Sequence, residues 1–313
     1  MRRAVLILLV AGLLAPTARA DGGPSVVETA GLGGVVTPTG YRYVIVNSPT
    51  VALLLRIAPS GRIVAEKYLP NRFGIPAVGY QGAPVGLSAD GKTLVLIQWR
   101  ATYPRKNTEF LVMSVPGLFV RQKVVLEGDF AFDAISPDGS LLYFINYLSP
   151  RDPTRYAVRV YDVQSGALLP EPVVDRTEPD EDMRGSPIAR VSSPDGRWAY
   201  TLYDGGGKTP FVHALDTVDA DAHCIDLDAL GGRQDLPFLR LRLRGGFLNV
   251  VKGKRTLLLV DTKSFRVSKP ETAVSGDGDS GAWLPIGMAA AATILLGAAG
   301  VVFLRRRRRL APA

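Results

Sequence analysis

The sequence predicts an all-β domain of repeated four-stranded units, and three observations carry that prediction. The first is a recurring hairpin: LSADGKTLVLIQ from Leu87, ISPDGSLLYFIN from Ile135 and SSPDGRWAYTLY from Ser192 are nearly superimposable. In each, a Ser precedes an Asp-Gly turn, where the Asp side chain bonds its own downstream backbone and Gly takes a positive φ. The strand that follows is rich in β-branched and aromatic residues. The second is a strand closed by a turn downstream of each hairpin: FLVMSVPGLFV from Phe110, VRVYDVQSGALL from Val158 and FVHALDTVDADAHCIDL from Phe211. The third is the stretch from Leu239 to Ser268, where Gly245-Gly246, Lys252 to Arg255 and Asp261 to Ser264 separate four strands of an antiparallel meander.

A related segment from Tyr41 supplies a fifth unit, and no convincing amphipathic helix interrupts the series. Four-stranded units recurring about every fifty residues are the mark of propeller blades. The expected architecture is therefore a β-propeller of about five four-stranded blades, followed by one C-terminal transmembrane helix. The Ser-Pro-Asp-Gly hairpin, a strand and an Asp-x-x-Ser-Gly-like turn together resemble bacterial extracytoplasmic β-propellers of the WD-repeat-like and TolB-like kind. The resemblance covers roughly Tyr41 to Ser268, and the Trp-Asp dipeptide is absent. It implies a fold and leaves function open, because such propellers serve as binding platforms, scaffolds, lactonases and dehydrogenases. A pair of β-sandwiches also accommodates recurring hairpins.

The two ends give the location. Arg2 and Arg3, the uncharged run Ala4 to Leu14 and then Ala18-Arg19-Ala20 follow the order of a secretory signal peptide, with cleavage expected after Ala20. Ala282 to Leu304 is 23 residues without a charge, enough at about 1.5 Å per residue to cross a hydrocarbon core of ~30 Å. Arg305 to Arg309 follow at once, and such a cluster stays on the cytoplasmic side. The expected organisation is a signal peptide over 1–20, an extracytoplasmic propeller over 21–267, a flexible stalk over 268–281, a transmembrane helix over 282–304 and a basic cytoplasmic tail over 305–313. The protein is then a single-pass cell-membrane protein with its N-terminal domain outside. Leu284-Pro285 matches the start of a wall-sorting L-P-x-T-G signal but lacks its Thr-Gly pair, so a retained helix is expected in preference to sortase processing.

A formal net charge of +8 would ordinarily suggest an anionic partner. Arg2, Arg3 and Arg19 leave with the signal and five arginines lie in the tail, so the exported part balances 29 cations against 29 acids. No global basic field argues for nucleic acid. The single cysteine, Cys224, precludes an intrachain disulfide and, before Ile225-Asp226-Leu227, is expected to be buried.

Loops carry binding residues on rigid scaffolds, and Thr177 to Ser186 is the longest polar insertion. Glu178, Asp180, Glu181, Asp182 and Arg184 are accordingly the candidate ligand contacts, their acidity suiting a cationic partner. Other constellations read as structure. His213, Asp216, Asp219, Asp221, His223 and Asp226 spread along one hairpin instead of converging as metal ligands do. Gly205-Gly206-Gly207-Lys208-Thr209 joins two strands and opens no helix. No Gly-x-Ser-x-Gly occurs, and Trp99, Tyr143, Phe144, Trp198, Tyr200 and Tyr203 are expected to pack between blades. The expectation is a monomeric ectodomain, held to the membrane by its own helix, that binds an envelope protein or polymer without a catalytic residue, metal or cofactor. An extracytoplasmic hydrolase or lactonase on the same fold is the alternative.

Overall fold

The computed structural model describes residues 28–178 and 183–270. The expected signal peptide, transmembrane run and tail lie outside these residues, as does the stalk beyond Pro270. Among the described residues no helix is long and apolar enough to cross a membrane. All belong to one compact unit that ends at Pro270.

Five four-stranded antiparallel sheets follow one another along the chain. The first holds β1 (Val35–Val36), β2 (Arg42–Asn47), β3 (Val51–Ile57) and β4 (Ile63–Pro70). Next, β5 (Phe73–Gly74) opens the second sheet and β6 (Ala77–Val78) and β7 (Ala83–Pro84) form a separate hairpin; β8 (Thr93–Gln98), β9 (Asn107–Ser114) and β10 (Phe119–Glu127) complete that sheet. The third holds β11 (Phe130–Ile135), β12 (Leu141–Tyr147), β13 (Tyr156–Asp162) and β14 (Ala167–Leu168). The fourth holds β15 (Pro187–Ser192), β16 (Trp198–Tyr203), β17 (Phe211–Asp216) and β18 (Asp221–Asp226). The fifth holds β19 (Leu239–Arg244), β20 (Phe247–Lys252), β21 (Arg255–Asp261) and β22 (Val267–Ser268), the meander expected from its turns.

Successive side chains on a strand point to opposite faces, and here the two faces serve two different neighbours. In the first sheet Tyr43, Ile45 and Leu54 pack on Leu94, Leu96 and Met113 of the second. The second turns Val95, Ile97, Phe110 and Val112 the other way, onto Phe130, Phe132 and Phe144 of the third. Tyr143, Ile145 and Val158 of the third meet Ala199, Tyr203 and Leu215 of the fourth. The fourth presents Leu202 and Val212 to Leu241, Leu248 and Leu258 of the fifth. Consecutive sheets stacked face to face, with the inner edges of four of them around one cavity, are the blades of a β-propeller-type arrangement.

Ring closure departs from the expectation. Among the described residues four hydrophobic cores join consecutive blades and none joins the fifth to the first. On the far face of the first blade Val36, Val46 and Tyr68 are exposed, and on the far face of the fifth so are Arg240, Arg242 and Arg244.

The repeated hairpins fix how blades meet at one end. Ser88, Ser136 and Ser193 each donate their hydroxyl to the Asp two residues on. Asp90, Asp138 and Asp195 each accept the backbone N–H two residues further. The glycines that follow are left-handed, and a side chain would also have no room: a Cβ on Gly139 would lie 2.5 Å from Thr93 Oγ1, and one on Gly196 2.7 Å from Ala89 Cβ. The Asp90 N–H donates to Pro137 O at 3.0 Å, so adjoining turns are hydrogen-bonded to each other.

Candidate functional site

The first strands of the first, third and fourth blades, with the segment from Pro84 to Ala89 that runs beside β8 of the second, surround a cavity of about 490 Å³, lined by residues 34–38, 84–89, 133–135 and 192–194 with Arg190, Gly196, Ala199 and Thr217. Two of the Asp-Gly turns border it, through Ser88 and Ala89 and through Ser193, Pro194 and Gly196. The volume falls in the ~300–1,000 Å³ range of small-molecule sites. Small side chains and backbone dominate the lining, and its charged side chains are Asp133 and Arg190.

Those two residues face each other between the third and fourth blades. Arg190 Nη2 donates to Asp133 Oδ1, and Nη1 donates to the Asp133 carbonyl at 3.1 Å. Their side chains are 2% and 1% exposed. Asp133 sits where the β11–β12 register slips between Phe132 and Ala134, an irregularity that re-aims a side chain. The fourth blade's register sets Arg190, Thr201, His213 and Cys224 in one row on the same face. His213 is buried, and desolvation pushes its pKa down to about 4. Burial likewise raises the hydroxyls of Tyr143, Tyr156 and Tyr203 above the usual tyrosine value. Asp133 Oδ2, Arg190 Nε, Thr201 Oγ1 and His213 Nδ1 are buried without a hydrogen-bond partner. Sequence reasoning missed the pair, although a signal was present: Asp133 and Arg190 each stand three residues before the Ser of their hairpin, as mid-strand charges of opposite sign.

The hairpin of β6 and β7 was also unforeseen, because Pro76, Gly79, Gly82 and Pro84 read as loop. It reaches from the second blade across to the fourth and fifth. The Tyr80 N–H donates to Ile188 O at 3.1 Å, and Gln81 Nε2 donates to Pro237 O at 3.4 Å. Ala77 and Val78 line a small chamber of about 30 Å³ with Tyr147, Tyr156 and Tyr203, while Pro84 lines the wide cavity. Beside the chamber, Arg105 Nη2 lies 2.8 Å from Glu28 Oε1 and 3.1 Å from Asp129 Oδ1, and Arg100 Nη2 lies 3.2 and 2.7 Å from the same atoms. Burial raises the Glu28 carboxyl, against the pull of Arg105 and Arg100. Two acids and two arginines leave this network neutral, and it ties the segment before β1 to the second and third blades.

Of the expected contact residues, Asp180, Glu181 and Asp182 lie outside the described residues. Glu178 is exposed, its N–H donating to Asp175 O at 3.0 Å. Arg184 pairs with Asp152 at 3.3 Å and borders a smaller pocket of about 110 Å³ with Lys208 and Asp226. Because this loop leads into the start of β15 whereas the Asp-Gly turn leaves its end, Glu178 and Arg184 stand at the opposite end of the propeller from the wide cavity.

The Asp/His cluster is dispersed. His213 faces the third blade, while His223, one row along on the other face, lies 4.6 Å from the Phe265 ring. Asp216 and Asp219 both take Arg197, and Asp221 takes Arg176 at 3.3 Å. Among the described residues no three His, Cys, Asp or Glu side chains converge. Gly205–Gly207 is a 3-10 turn leading into β17. Two expectations need correction. Trp99 is 46% exposed, with the Arg72 guanidinium 3.3 Å over its ring, because it lies just past β8 where no blade covers it. Cys224 is half-buried, on an outermost strand, with its Sγ 3.8 Å from Met183 Sδ.

Stacked blades around a cavity with a single closed ion pair define a β-propeller-type module. No family model matches the chain, and no curated protein does. Solved structures similar to it include Kuenenia stuttgartiensis hydrazine synthase, at 16% identity over 76% of this chain and 70% of that chain with a TM-score of 0.42. A putative TolB from Agrobacterium tumefaciens is 14% identical over 77% and 79%, TM-score 0.39, and the β-propeller domain of Cps50 (Swd1) from Myceliophteria thermophila is 10% identical over 72% and 70%, TM-score 0.41. At such scores the likeness adds nothing to what the sheets themselves show.

Proposed function

We propose that this chain is a membrane-tethered extracytoplasmic propeller that acts by binding, with its ligand or partner received at the cavity bordered by two of the Asp-Gly turns. The cavity carries the reading: it is wide, walled by the inner edges of four blades, and its charged residues are committed to each other. Hydrolysis needs a nucleophile within reach of a base. Here the Ser88 and Ser193 hydroxyls are given to Asp90 and Asp195, and His213 is packed between blades. The tether rests on the export-type start, the 23-residue apolar run and the five arginines that follow it.

The test is retention of an envelope component by the immobilised, detergent-solubilised chain in three forms. These are the unmodified protein, Ser192→Trp, which fills the cavity from β15, and a deletion of Asp180 to Arg184. Loss with Ser192→Trp alone supports the cavity. Loss with the deletion alone moves the site to the other end, and equal retention by all three refutes both places. Recovery of the mature protein in the soluble fraction, or covalently on peptidoglycan after detergent extraction, would refute the tether.

A further inference from the structure

The neutral total of the exported part hides a strong segregation of charge. Between Arg233 and Lys269 there are ten cations and two acids, a local net charge of +8; the rest of the exported part holds nineteen cations and twenty-seven acids, a net −8. Both acids of the fifth blade are already engaged. Asp235 takes Arg233 and Lys252, at 2.6 and 2.7 Å, and Asp261 caps its own turn by accepting from the Lys263 and Ser264 N–H groups. Eight cations are left without an acid in salt-bridge range among the described residues.

Three of those eight are aligned. Arg240, Arg242 and Arg244 alternate along β19 with Leu239, Leu241 and Leu243, which turn toward the fourth blade. At about 3.4 Å per residue, positions two apart on one face are ~7 Å apart. All three arginines are exposed on the face that no blade covers. Phe247, paired with Arg244, is 38% exposed, and Phe238, just before β19, is 68% exposed. Exposed aromatics beside cations suit an interface that is charged at its surface and apolar beneath.

We infer that this face of the fifth blade docks on an anionic lipid surface. Charge complementarity selects a polyanion, and the course of the chain selects lipid over a soluble polymer. β22 belongs to this blade, and eleven residues separate Pro270 from the start of the apolar run at Ala282. If those eleven residues form the stalk expected from the sequence, a Gly/Ser-rich coil of that length would span about 5–6 Å × √n, or ~20 Å. In this respect the inference rests on the tether reading, which keeps the blade close to the bilayer; the face itself does not depend on it. Each arginine held at an anionic surface is worth about a fivefold gain in binding, so the three together give about a hundredfold, lost at high salt.

The experiment uses the full chain in nanodiscs of phosphatidylcholine alone and of phosphatidylcholine mixed with phosphatidylglycerol. Phenylglyoxal footprinting reads Arg240, Arg242 and Arg244, with Arg62 on the first blade as reference. Slower modification of the three in anionic discs only, relieved by salt, is expected; equal rates in both lipids would overturn the inference. A chain that does not enter nanodiscs refutes the tether instead. Flotation with preformed vesicles of the two compositions then decides the face: capture by the anionic vesicles, weakened about a hundredfold in Arg240→Gln/Arg242→Gln/Arg244→Gln, supports it, and no capture overturns it. Protection by soluble polyphosphate but not by anionic lipid also overturns it, in favour of a polymer ligand.

Discussion

Asp133 and Arg190 occupy the same place in consecutive repeats, three residues before the turn serine, and close an ion pair between the third and fourth blades with side chains 1% and 2% exposed. Removing one partner of such a pair leaves a buried charge uncompensated and costs about 3–5 kcal/mol, whereas replacing both by apolar side chains of similar size is often close to neutral. Arg190→Met should therefore lower the urea midpoint strongly, and Asp133→Leu/Arg190→Met should recover most of the loss. A double variant as unstable as the single one would show that the pair is required for the blades to register.

His213 makes stability depend on pH. Its folded pKa of about 4 lies below the ordinary histidine value of 6.5 because the ring is desolvated. Between those values the unfolded chain binds a proton that the folded chain does not, so stability is complete above the ordinary histidine value and falls as pH drops through this window. At ~1.36 kcal/mol per pKa unit the loss approaches about 3 kcal/mol. His213→Gln should flatten the curve of melting temperature against pH between about 6.5 and 4. The lowered carboxyls of Asp138 and Asp195, held down by hydrogen bonds from their own turns, act in the opposite sense to a raised acid and lose their contribution only as pH falls below the ordinary carboxylate value.

The repeat was legible because turn chemistry is local. Ser136, Asp138 and Gly139 determine their hairpin among themselves, and the strands alternate on a period of two. What escaped the sequence depends on contacts between distant residues. Tyr80 is placed by Ile188, more than a hundred positions away, and nothing in a Pro/Gly-rich segment announces such a partner. The cavity is likewise a product of four blades and has no motif of its own. The acidic loop was visible as a polar insertion, but its place at the end opposite the cavity follows only from knowing that β15 starts at Pro187 and ends at Ser192.

Two kinds of left-handed glycine separate conformational strain from steric exclusion. Gly253 has φ +59° and nothing within 4 Å of a built Cβ, whereas Gly196 has φ +77° and would place its Cβ 2.7 Å from Ala89 Cβ. A left-handed residue with a side chain costs about 1–2 kcal/mol, and overpacking adds about 1–3. Gly253→Ala should thus cost about 1–2 kcal/mol in chemical denaturation and Gly196→Ala roughly twice that. Equal costs would mean that the turns of neighbouring blades yield at their contact.

The last prediction tests whether the first and fifth blades are joined in solution. On the first blade Leu54 is fully buried against the second, whereas Val46 and Tyr68, on the opposite face, are 44% and 63% exposed. A Leu→Ala change in a packed core costs about 2–5 kcal/mol, but surface substitutions away from special features stay within about 0.5 kcal/mol. Leu54→Ala should therefore lower the melting temperature by several degrees, while Val46→Lys and Tyr68→Lys, singly or together, should leave it within about 2 °C. On the fifth blade Arg240, Arg242 and Arg244 occupy the corresponding side of β19. Lysine at Val46 or Tyr68 set against those arginines would add repulsion if the ring closed. A large loss of stability in either lysine variant would thus show that the two blades pack together in solution, and an unchanged melting temperature would show that the blade stack stays open there.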